Sequence, residues 1–351
     1  MRNFSKATIC LIVIILVMGI ASSCYLFINP DNDDNSDESD LSDGNGQTPQ
    51  ERPTLTLSST EHMQCFVEDI SSYARKLKPG FIIIPQNAEE LAFNEARQRN
   101  GLRTSYLNAV DGFGIEELFY DDQGRELNDR SRVSMLETLR DTGKKIMVSD
   151  YVKTDENYNR SLEYNYIRNF IAFPRSSSNY NYNNIPVMDD WLEETIGINT
   201  SNINALSGAK NYLYLIGGTG SNLLDRIADT NFDVVLIDLF FRGNNQPLTR
   251  TDLDKIKLKK NGGRRLVISY ISIGSAENYR YYWKSGWEKG NPSWLVKSYS
   301  GYPNEYWVRF WDHEWQDIIY GNDKSYMKRI IDAGFDGAYL DNIEAYQQVR
   351  N

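Results

Sequence analysis

The sequence predicts an α/β fold with parallel strands, and two patterns lead to this prediction. Short apolar or β-branched runs alternate with amphipathic stretches, such as residues 223–230 and 325–333, from about residue 59 to the end of the chain. Several runs, including residues 234–237, are apolar at consecutive positions rather than at every second position. Continuous apolar runs are typical of strands buried on both faces, and their alternation with helices indicates a parallel sheet.

The number of runs favours a closed barrel. We expect strands within residues 81–85, 106–111, 145–151, 167–174, 212–216, 232–241, 265–273, 306–311 and 335–342. These are one more than a closed eight-stranded barrel needs, so we expect 167–174 or 212–216 to be an accessory piece. A doubly wound sheet would give the same alternation, but residues 217–220, the one glycine-rich candidate, lack the spacing of a nucleotide-binding loop. The sequence therefore predicts a single (β/α)8 barrel of the TIM type over residues 59–351.

The first 58 residues predict export. Residues 1–23 read as a lipoprotein signal peptide, because Arg2 and Lys6 precede an apolar stretch over 7–20 and small residues at 21–23 lead into Cys24. Cys24 would carry the lipid, and the alternatives are a plain signal peptide or a single membrane anchor. Residues 24–58 form a flexible acidic tether, since seven carboxylates fall within 31–43 without a Lys or Arg. We expect a monomeric lipoprotein of the cell envelope, held at the membrane by its lipid.

Charge and residue counts exclude several classes of function. The chain has 48 acidic and 38 basic residues, a balance that disfavours nucleic acid as a partner. Three cysteines and two histidines are too few for a His- or Cys-based metal cluster. No nucleotide-binding motif is present. We therefore expect neither a metal nor a cofactor.

Polar side chains follow many of the apolar runs at the point where each run ends. Asp111, Asp150, Asp238 and Asp341 occupy such positions, and Tyr270 lies near the end of another run. The carboxyl ends of barrel strands converge on one face, where active sites are built. Each residue alone could be a helix N-cap or a solvated loop acid. Their repetition favours a shared site equipped for acid and base chemistry.

Three segments carry a family resemblance. Residues 270–280 resemble the Tyr-x-Ser-x-Gly-x-x-Glu-x-x-Arg motif of glycoside hydrolase family 114, and residues 334–342 and 232–238 resemble its Gly-Phe-Asp-Gly-Val-x-x-Asp-Asn and Tyr-Asp-x-x-x-x-Asp strands. Residues 84–87, 111–112, 116–120 and 261–266 are similar to a branch of this family sometimes mislabelled as cysteinyl-tRNA synthetase related. The resemblance extends over residues 60–350. It implies a barrel fold, and characterised members of the family are endo-α-1,4-polygalactosaminidases.

The resemblance also implies site residues. Asp341 corresponds to one catalytic carboxylate and Glu116 to the other, with the adjacent Glu117 as an alternative. In the family the Asp-Asn strand lies mid-chain, whereas Asp341 lies ten residues from the end here, so the segment order is circularly permuted. The implied substrate-binding residues are Asp238, Tyr270, Glu277, Arg280, Asp150, Asp111, Arg309 and Asn342. Glu277 and Arg280 could equally form an ion pair with each other at i,i+3 spacing.

The expected function is hydrolysis of a polysaccharide, with an amino-sugar polymer such as polygalactosamine favoured. Two carboxyl groups would act, and the resemblance favours a retaining mechanism, for which they should lie about 5–5.5 Å apart. The sequence does not assign which carboxylate is the acid and which the nucleophile. The alternative is a catalytically inactive, glycan-binding surface lipoprotein. A synthetase relative is disfavoured, because neither an ATP-binding motif nor a basic surface for tRNA is present.

Overall fold

The computed structural model describes residues 57–175, 183–186, 198–217, 222–241 and 245–350. The predicted signal peptide, Cys24 and nearly all of the predicted tether lie outside the described residues. The first helix begins at Ser59, behind a capping box in which Ser58 and Glu61 exchange hydrogen bonds between side chain and backbone. Its buried residues include Met63, Phe66 and Ile70, three or four positions apart, which places one helix face on the core.

The described residues contain the following strands and helices. The strands are β1 (Ile82–Pro85), β2 (Phe93–Glu95), β3 (Asn100–Leu102), β4 (Gly112–Glu116), β5 (Lys145–Ser149), β6 (Ile171–Ala172), β7 (Tyr212–Tyr214), β8 (Val234–Asp238), β9 (Leu266–Ser272), β10 (Ser275–Glu277), β11 (Leu295–Tyr299), β12 (Tyr302–Val308) and β13 (Gly337–Asp341). The helices are α1 (Ser59–Leu77), α2 (Thr104–Ala109), α3 (Arg130–Asp141), α4 (Asp155–Tyr166), α5 (Leu223–Ala228), α6 (Arg250–Ile256), α7 (His313–Ile319), α8 (Tyr326–Ala333) and α9 (Ala345–Gln348).

Two parallel sheets form the centre of the fold. A five-stranded sheet has the order β1-β13-β9-β8-β7, and a three-stranded sheet has the order β4-β5-β6. A parallel bridge between Gln86 and Gly114 joins β1 to β4. The β6 and β7 ends meet through the rings of Phe173 and Tyr212, whose centroids lie 5.6 Å apart. The prediction of an α/β fold with parallel strands is confirmed, and the arrangement is consistent with a TIM-like fold.

Side chains from both sheets meet in the interior. The Tyr339 ring on β13 packs on Tyr214 of β7, with centroids 5.5 Å apart. A Cβ atom at Gly114 of β4 would lie 2.0 Å from the Tyr339 hydroxyl, so only glycine leaves room for this tyrosine. The contact brings strands of the two sheets together across a packed interior.

The strand prediction is wrong in two segments. Residues 104–109 form helix α2, and the neighbouring strand β4 begins only at Gly112. A short apolar run does not distinguish a strand from a helix turn, which explains the error. Residues 306–311 overlap β12 of an antiparallel sheet with the order β10-β12-β11. This antiparallel sheet is the accessory piece, because 167–174 and 212–216 each contain a parallel strand.

Candidate active site

Asp341 is the last residue of β13, at the carboxyl end of the five-stranded sheet. Tyr270 on the neighbouring strand β9 donates its hydroxyl to Asp341 Oδ2 at 2.6 Å. Burial raises the pKa of Asp341 to about 6, and the hydrogen bond from Tyr270 partly opposes this rise. Asp341 can therefore change its charge close to neutral pH.

Glu116 is the last residue of β4 and is held by the elements around it. Its carboxylate accepts a hydrogen bond from the Tyr151 hydroxyl at 3.2 Å, and its backbone N–H donates to Asn87 Oδ1 at 3.0 Å. Arg132 of α3 donates to the backbone carbonyl of Glu116 at 3.1 Å and to that of Glu117 at 3.2 Å. Glu117, the alternative candidate, has a left-handed backbone with a φ of 53°. Both candidate catalytic residues thus end strands that flank β1.

Glu344 was not predicted from the sequence, although it lies three residues after Asp341. Asn87 Nδ2 donates to Glu344 Oε1 at 2.8 Å. Burial and the charges of Asp341 and Glu116 raise the pKa of Glu344 to about 8. Asn87 contacts the backbone of Glu116 as well as the Glu344 carboxyl group, so Glu344 lies close to both strand ends that bear the candidate catalytic residues; this region is here called the cleft. The sequence did contain one signal for Glu344, since this carboxylate lies three residues, about one helical turn, after a residue that ends an apolar run.

Glu305 on β12 was also missed. It lies opposite Glu277 in the antiparallel pairing of β10 with β12, and Ser275 Oγ donates to it at 2.9 Å. Burial and the charge of Glu277 raise the pKa of Glu305 to about 8, with a smaller contribution from Asp341. The sequence prediction missed Glu305 because it assigned the segment after it to a parallel strand.

Arg280 connects two of the predicted site residues. Its guanidinium contacts Asp238 Oδ2 at 2.7 Å and Glu277 Oε2 at 2.6 Å. The three side chains are at most 10% exposed. The structure therefore shows the ion pair between Glu277 and Arg280 that the sequence left open as an alternative. Arg280 neutralises two buried carboxylates.

Asp111 and Arg309 lie elsewhere than predicted. Asp111 precedes β4, so it is at the amino end of that strand, where it pairs with Arg75 at 2.8 Å and accepts the Ile83 N–H at 2.8 Å. Its predicted position at the carboxyl end of a strand is wrong. Arg309 follows the antiparallel strand β12 instead of being part of a parallel strand, and its backbone N–H donates to the Trp294 carbonyl at 2.8 Å.

Asp150 and Asn342 support the backbone. Asp150 is completely buried and accepts the N–H groups of Leu118, Phe119 and Tyr120 at 2.9–3.3 Å. Asn342, with a φ of 60°, donates to the hydroxyls of two serines at the β9–β10 turn, Ser272 at 2.9 Å and Ser275 at 3.0 Å. These partners give both residues a structural role, and their contact with a sugar stays a prediction.

Aromatic residues of the β11–β12 hairpin lie beside the acidic residues. Tyr299 stacks on Trp307 with ring centroids 4.1 Å apart and contacts Tyr302 at 4.8 Å. Burial and then the charge of Glu116 raise the pKa of Tyr302 to about 12, with smaller contributions from Glu305 and Asp341. The hairpin therefore presents a cluster of aromatic rings, and the pKa of Tyr302 responds to the charges of both candidate catalytic carboxylates.

Within the described ranges, no group of three or more His, Cys, Asp or Glu residues could hold a metal ion. The helices in this part of the chain also include none with the length and apolarity needed to cross a membrane.

Part of the chain that contains Asp341 is similar to a known protein family. The sequence model of glycoside-hydrolase family GH114 matches residues 199–351, a range that contains β7 to β13 and Asp341. This part of the chain is similar to family GH114. Glu116 lies outside the matched range, so its assignment rests on the cleft geometry and on the resemblance of residues 116–120.

Three curated relatives are similar to parts of the chain. Uncharacterized proteins of Thermotoga maritima, Deinococcus radiodurans and Methanocaldococcus jannaschii are 34%, 33% and 35% identical over 121, 147 and 150 residues. The matches cover 34%, 42% and 42% of this chain. They cover 35%, 44% and 41% of the relatives, so the chain spans less than half of the length of each.

Proposed function

We propose that the protein hydrolyses a polysaccharide, with Asp341 and Glu116 as its two catalytic carboxylates. The observation that carries the proposal is Asp341 itself: it ends a parallel strand within the GH114-matched range, and Asn87 links Glu344, three residues further on, to the backbone of Glu116. Most glycoside hydrolases use two catalytic carboxyl groups, one on either side of the glycosidic bond. The proposal includes closure of the two parallel sheets into one eight-stranded barrel, with β6 beside β7.

In the proposed mechanism Asp341 is the nucleophile. Its pKa of about 6 leaves it ionised at neutral pH. Its carboxylate forms a bond to the anomeric carbon while the glycosidic C–O bond breaks, and Glu116 gives its proton to the leaving oxygen. Water then attacks the anomeric carbon of the enzyme ester. Glu116 accepts the proton of that water, and Asp341 leaves as a carboxylate. The stereochemistry is retained.

The charge of the cleft supports an amino-sugar polymer as the substrate. Arg280 and Arg132 are two cations near these carboxyl groups, and both already pair with acidic residues, Arg132 with Glu89 at 2.6 Å. At neutral pH the ionised carboxylate of Asp341 gives the cleft a negative potential, which attracts a protonated amine. The tyrosines of the β11–β12 hairpin supply aromatic faces for sugar rings.

A product screen tests the proposed function. The purified protein is incubated with polygalactosamine, its N-acetylated form and neutral polysaccharides, and the products are read by mass spectrometry. We expect oligosaccharides from the amino-sugar polymer. The Asp341→Asn variant, prepared in the same way, controls for contaminating hydrolases. Tight glycan binding without any product would instead indicate a glycan-binding protein.

We also propose that the mature protein is a cell-envelope lipoprotein acylated at Cys24. The small residues at 21–23 before this cysteine support the proposal. Cys24→Ser is expected to move the protein from the membrane fraction to a soluble or unprocessed form, because the acyl chains would be absent. Fractionation of expressing cells with immunoblotting measures this change. Unaltered membrane attachment of the variant would refute a lipid on Cys24.

A further inference from the structure

Asn87 lies between the strands that bear the two candidate catalytic residues. It follows β1, which pairs with β13 on one side and is bridged to β4 on the other. Its backbone N–H donates to the Gly114 carbonyl at 2.7 Å. Its φ of 56° lies in the left-handed region, where Asn and Asp are enriched among residues other than glycine. Both strands thus fix the position of this side chain.

The orientation of the Asn87 amide is determined by its partners. The backbone N–H of Glu116 and the guanidinium of Arg132 are both donors, at 3.0 Å and 3.2 Å from Oδ1. An amide oxygen must accept these two hydrogen bonds, so the NH2 group necessarily points to the other side. There it donates to Glu344 Oε1 at 2.8 Å. One side chain therefore links the backbone under Glu116 to the carboxyl group of Glu344.

We propose that Asn87 is a positioning residue that acts through Glu344: it holds this further carboxyl group in place beside the two candidate catalytic residues. The inference rests on the proposed hydrolysis only for its kinetic consequence. The location of the proton is a property of the free protein.

Charges on several elements act on Glu344 or are acted on by it. The groups are Asp341 at the end of β13, Glu116 at the end of β4, Arg132 of α3, Tyr299 of β11 and Tyr346 of α9, while Glu89 before β2 neutralises Arg132. Burial is the largest cause of the raised pKa of Glu344, about 8, followed by the charge of Asp341, and the hydrogen bond from Asn87 opposes both. Glu344 therefore remains neutral when Asp341, with a pKa of about 6, is ionised.

The proton on Glu344 has a consequence for catalysis. While Glu344 is neutral, Glu116 faces one neighbouring carboxylate, Asp341. When Glu344 ionises, a further negative charge beside Glu116 makes its carboxyl group a weaker acid toward the leaving oxygen. The ionisation of Glu344 should then slow the reaction above its pKa of about 8.

Two isosteric variants test the proposal without a substrate. Glu344→Gln removes the titrating group, and Asn87→Asp keeps the acceptor for Glu116 and Arg132 but replaces the donor to Glu344 with a carboxylate oxygen. Potentiometric titration curves are recorded for both proteins, and the curve of Glu344→Gln is subtracted from that of the wild type. The difference should correspond to one proton that titrates with a midpoint near the Glu344 pKa of about 8. The same difference in the Asn87→Asp background should show a higher midpoint, since the ionised form loses a hydrogen bond and gains a like charge.

Glu126→Gln is the matched control, because Glu126 accepts the Tyr164 hydroxyl at 2.9 Å at an exposed site and faces none of the cleft residues named above. It should leave the midpoint near pH 8 unchanged. The pH profile of kcat should lose its alkaline inflection in Glu344→Gln and shift it upward in Asn87→Asp. Absence of a titrating group between about pH 7 and 9, or an unshifted midpoint in folded Asn87→Asp, would overturn the proposal. If Asn87→Asp does not fold, Asn87→Gly, which suits the positive φ and also removes the donor to Glu344, takes its place and should likewise raise the midpoint. Failure of hydrolysis with a positive titration would refute the proposed function and leave the inference standing.

Discussion

Replacing Asp341 with Asn is expected to lower kcat by on the order of 10⁴-fold or more, the size of loss typical when a catalytic group is removed. Asn has nearly the same volume, and its amide oxygen can still accept the Tyr270 hydroxyl that now lies 2.6 Å from Asp341 Oδ2. The amide cannot attack an anomeric carbon, so binding should persist while turnover is lost. Steady-state kinetics on the polymer identified by the product screen, with calorimetric binding of its oligosaccharides, measures both effects.

Tyr270→Phe is the matched comparison for Asp341→Asn. It removes only the hydrogen bond to the carboxylate, which is worth about 1.5–3 kcal/mol, or roughly tenfold to a hundredfold in rate. Because that bond lowers the pKa of Asp341, its loss should also move the acid limb of the pH profile above the present value of about 6. A drop of less than a hundredfold in Asp341→Asn would reduce Asp341 to a contact residue and would exclude it as the nucleophile.

Glu116→Gln should resemble Asp341→Asn if both residues are catalytic. The Gln side chain can still accept the Tyr151 hydroxyl, and the backbone hydrogen bond to Asn87 is unaffected, so positioning is retained while the proton donor is lost. A substrate with a good leaving group, which needs no protonation, should recover much of the rate. Loss of activity on such a substrate as well would argue against the assignment of Glu116 as the acid.

The sequence was most informative where a strand is apolar over consecutive residues. The runs that contain β8, β9 and β13 predicted these strands, because burial on both faces leaves a continuous apolar pattern. The pattern failed at residues 106–111, where Tyr106, Leu107 and Ala109 are buried on a short helix instead. It failed again near residue 306, since an apolar and aromatic run does not reveal whether its partner strand is parallel or antiparallel.

The candidate site likewise contains residues that a local pattern predicts and residues that only the tertiary fold brings together. Asp341 and Asp238 could be predicted because they end continuous runs. Glu305 could not, because it approaches Glu277 only through the pairing of β10 with β12, which follows from the tertiary fold. Asn87 lay within a recognised segment, yet its contact with Glu344 joins positions that are 257 residues apart. Residues whose role depends on such long-range contacts leave no local pattern in a sequence.

Replacing Arg280 with Met is expected to lower the free energy of unfolding by about 3–5 kcal/mol, the cost typical of breaking a buried ion pair from one side. The variant would leave Asp238 and Glu277 without the cation that now contacts them at 2.7 Å and 2.6 Å. Met preserves most of the packing against the rings of Tyr279 and Tyr326, whose centroids lie 5.2 Å and 5.8 Å from the guanidinium carbon. Urea unfolding at neutral pH, followed by circular dichroism, measures the change.

The loss in Arg280→Met should come from the stranded carboxylates and not from the missing cation itself. Adding Asp238→Asn and Glu277→Gln to Arg280→Met should therefore recover part of the stability, because no buried charge then lacks a partner. Arg125→Met is the surface control: Arg125 contacts Asp121 at 2.7 Å, but its side chain is 75% exposed, so its removal should fall within the error of the measurement. If Arg280→Met is as stable as the wild type, or if the triple variant is less stable than Arg280→Met, the two carboxylates do not depend on Arg280. Glu277 and Asp238 would then be open to substrate, and Arg280 would have to be reconsidered as a direct sugar ligand.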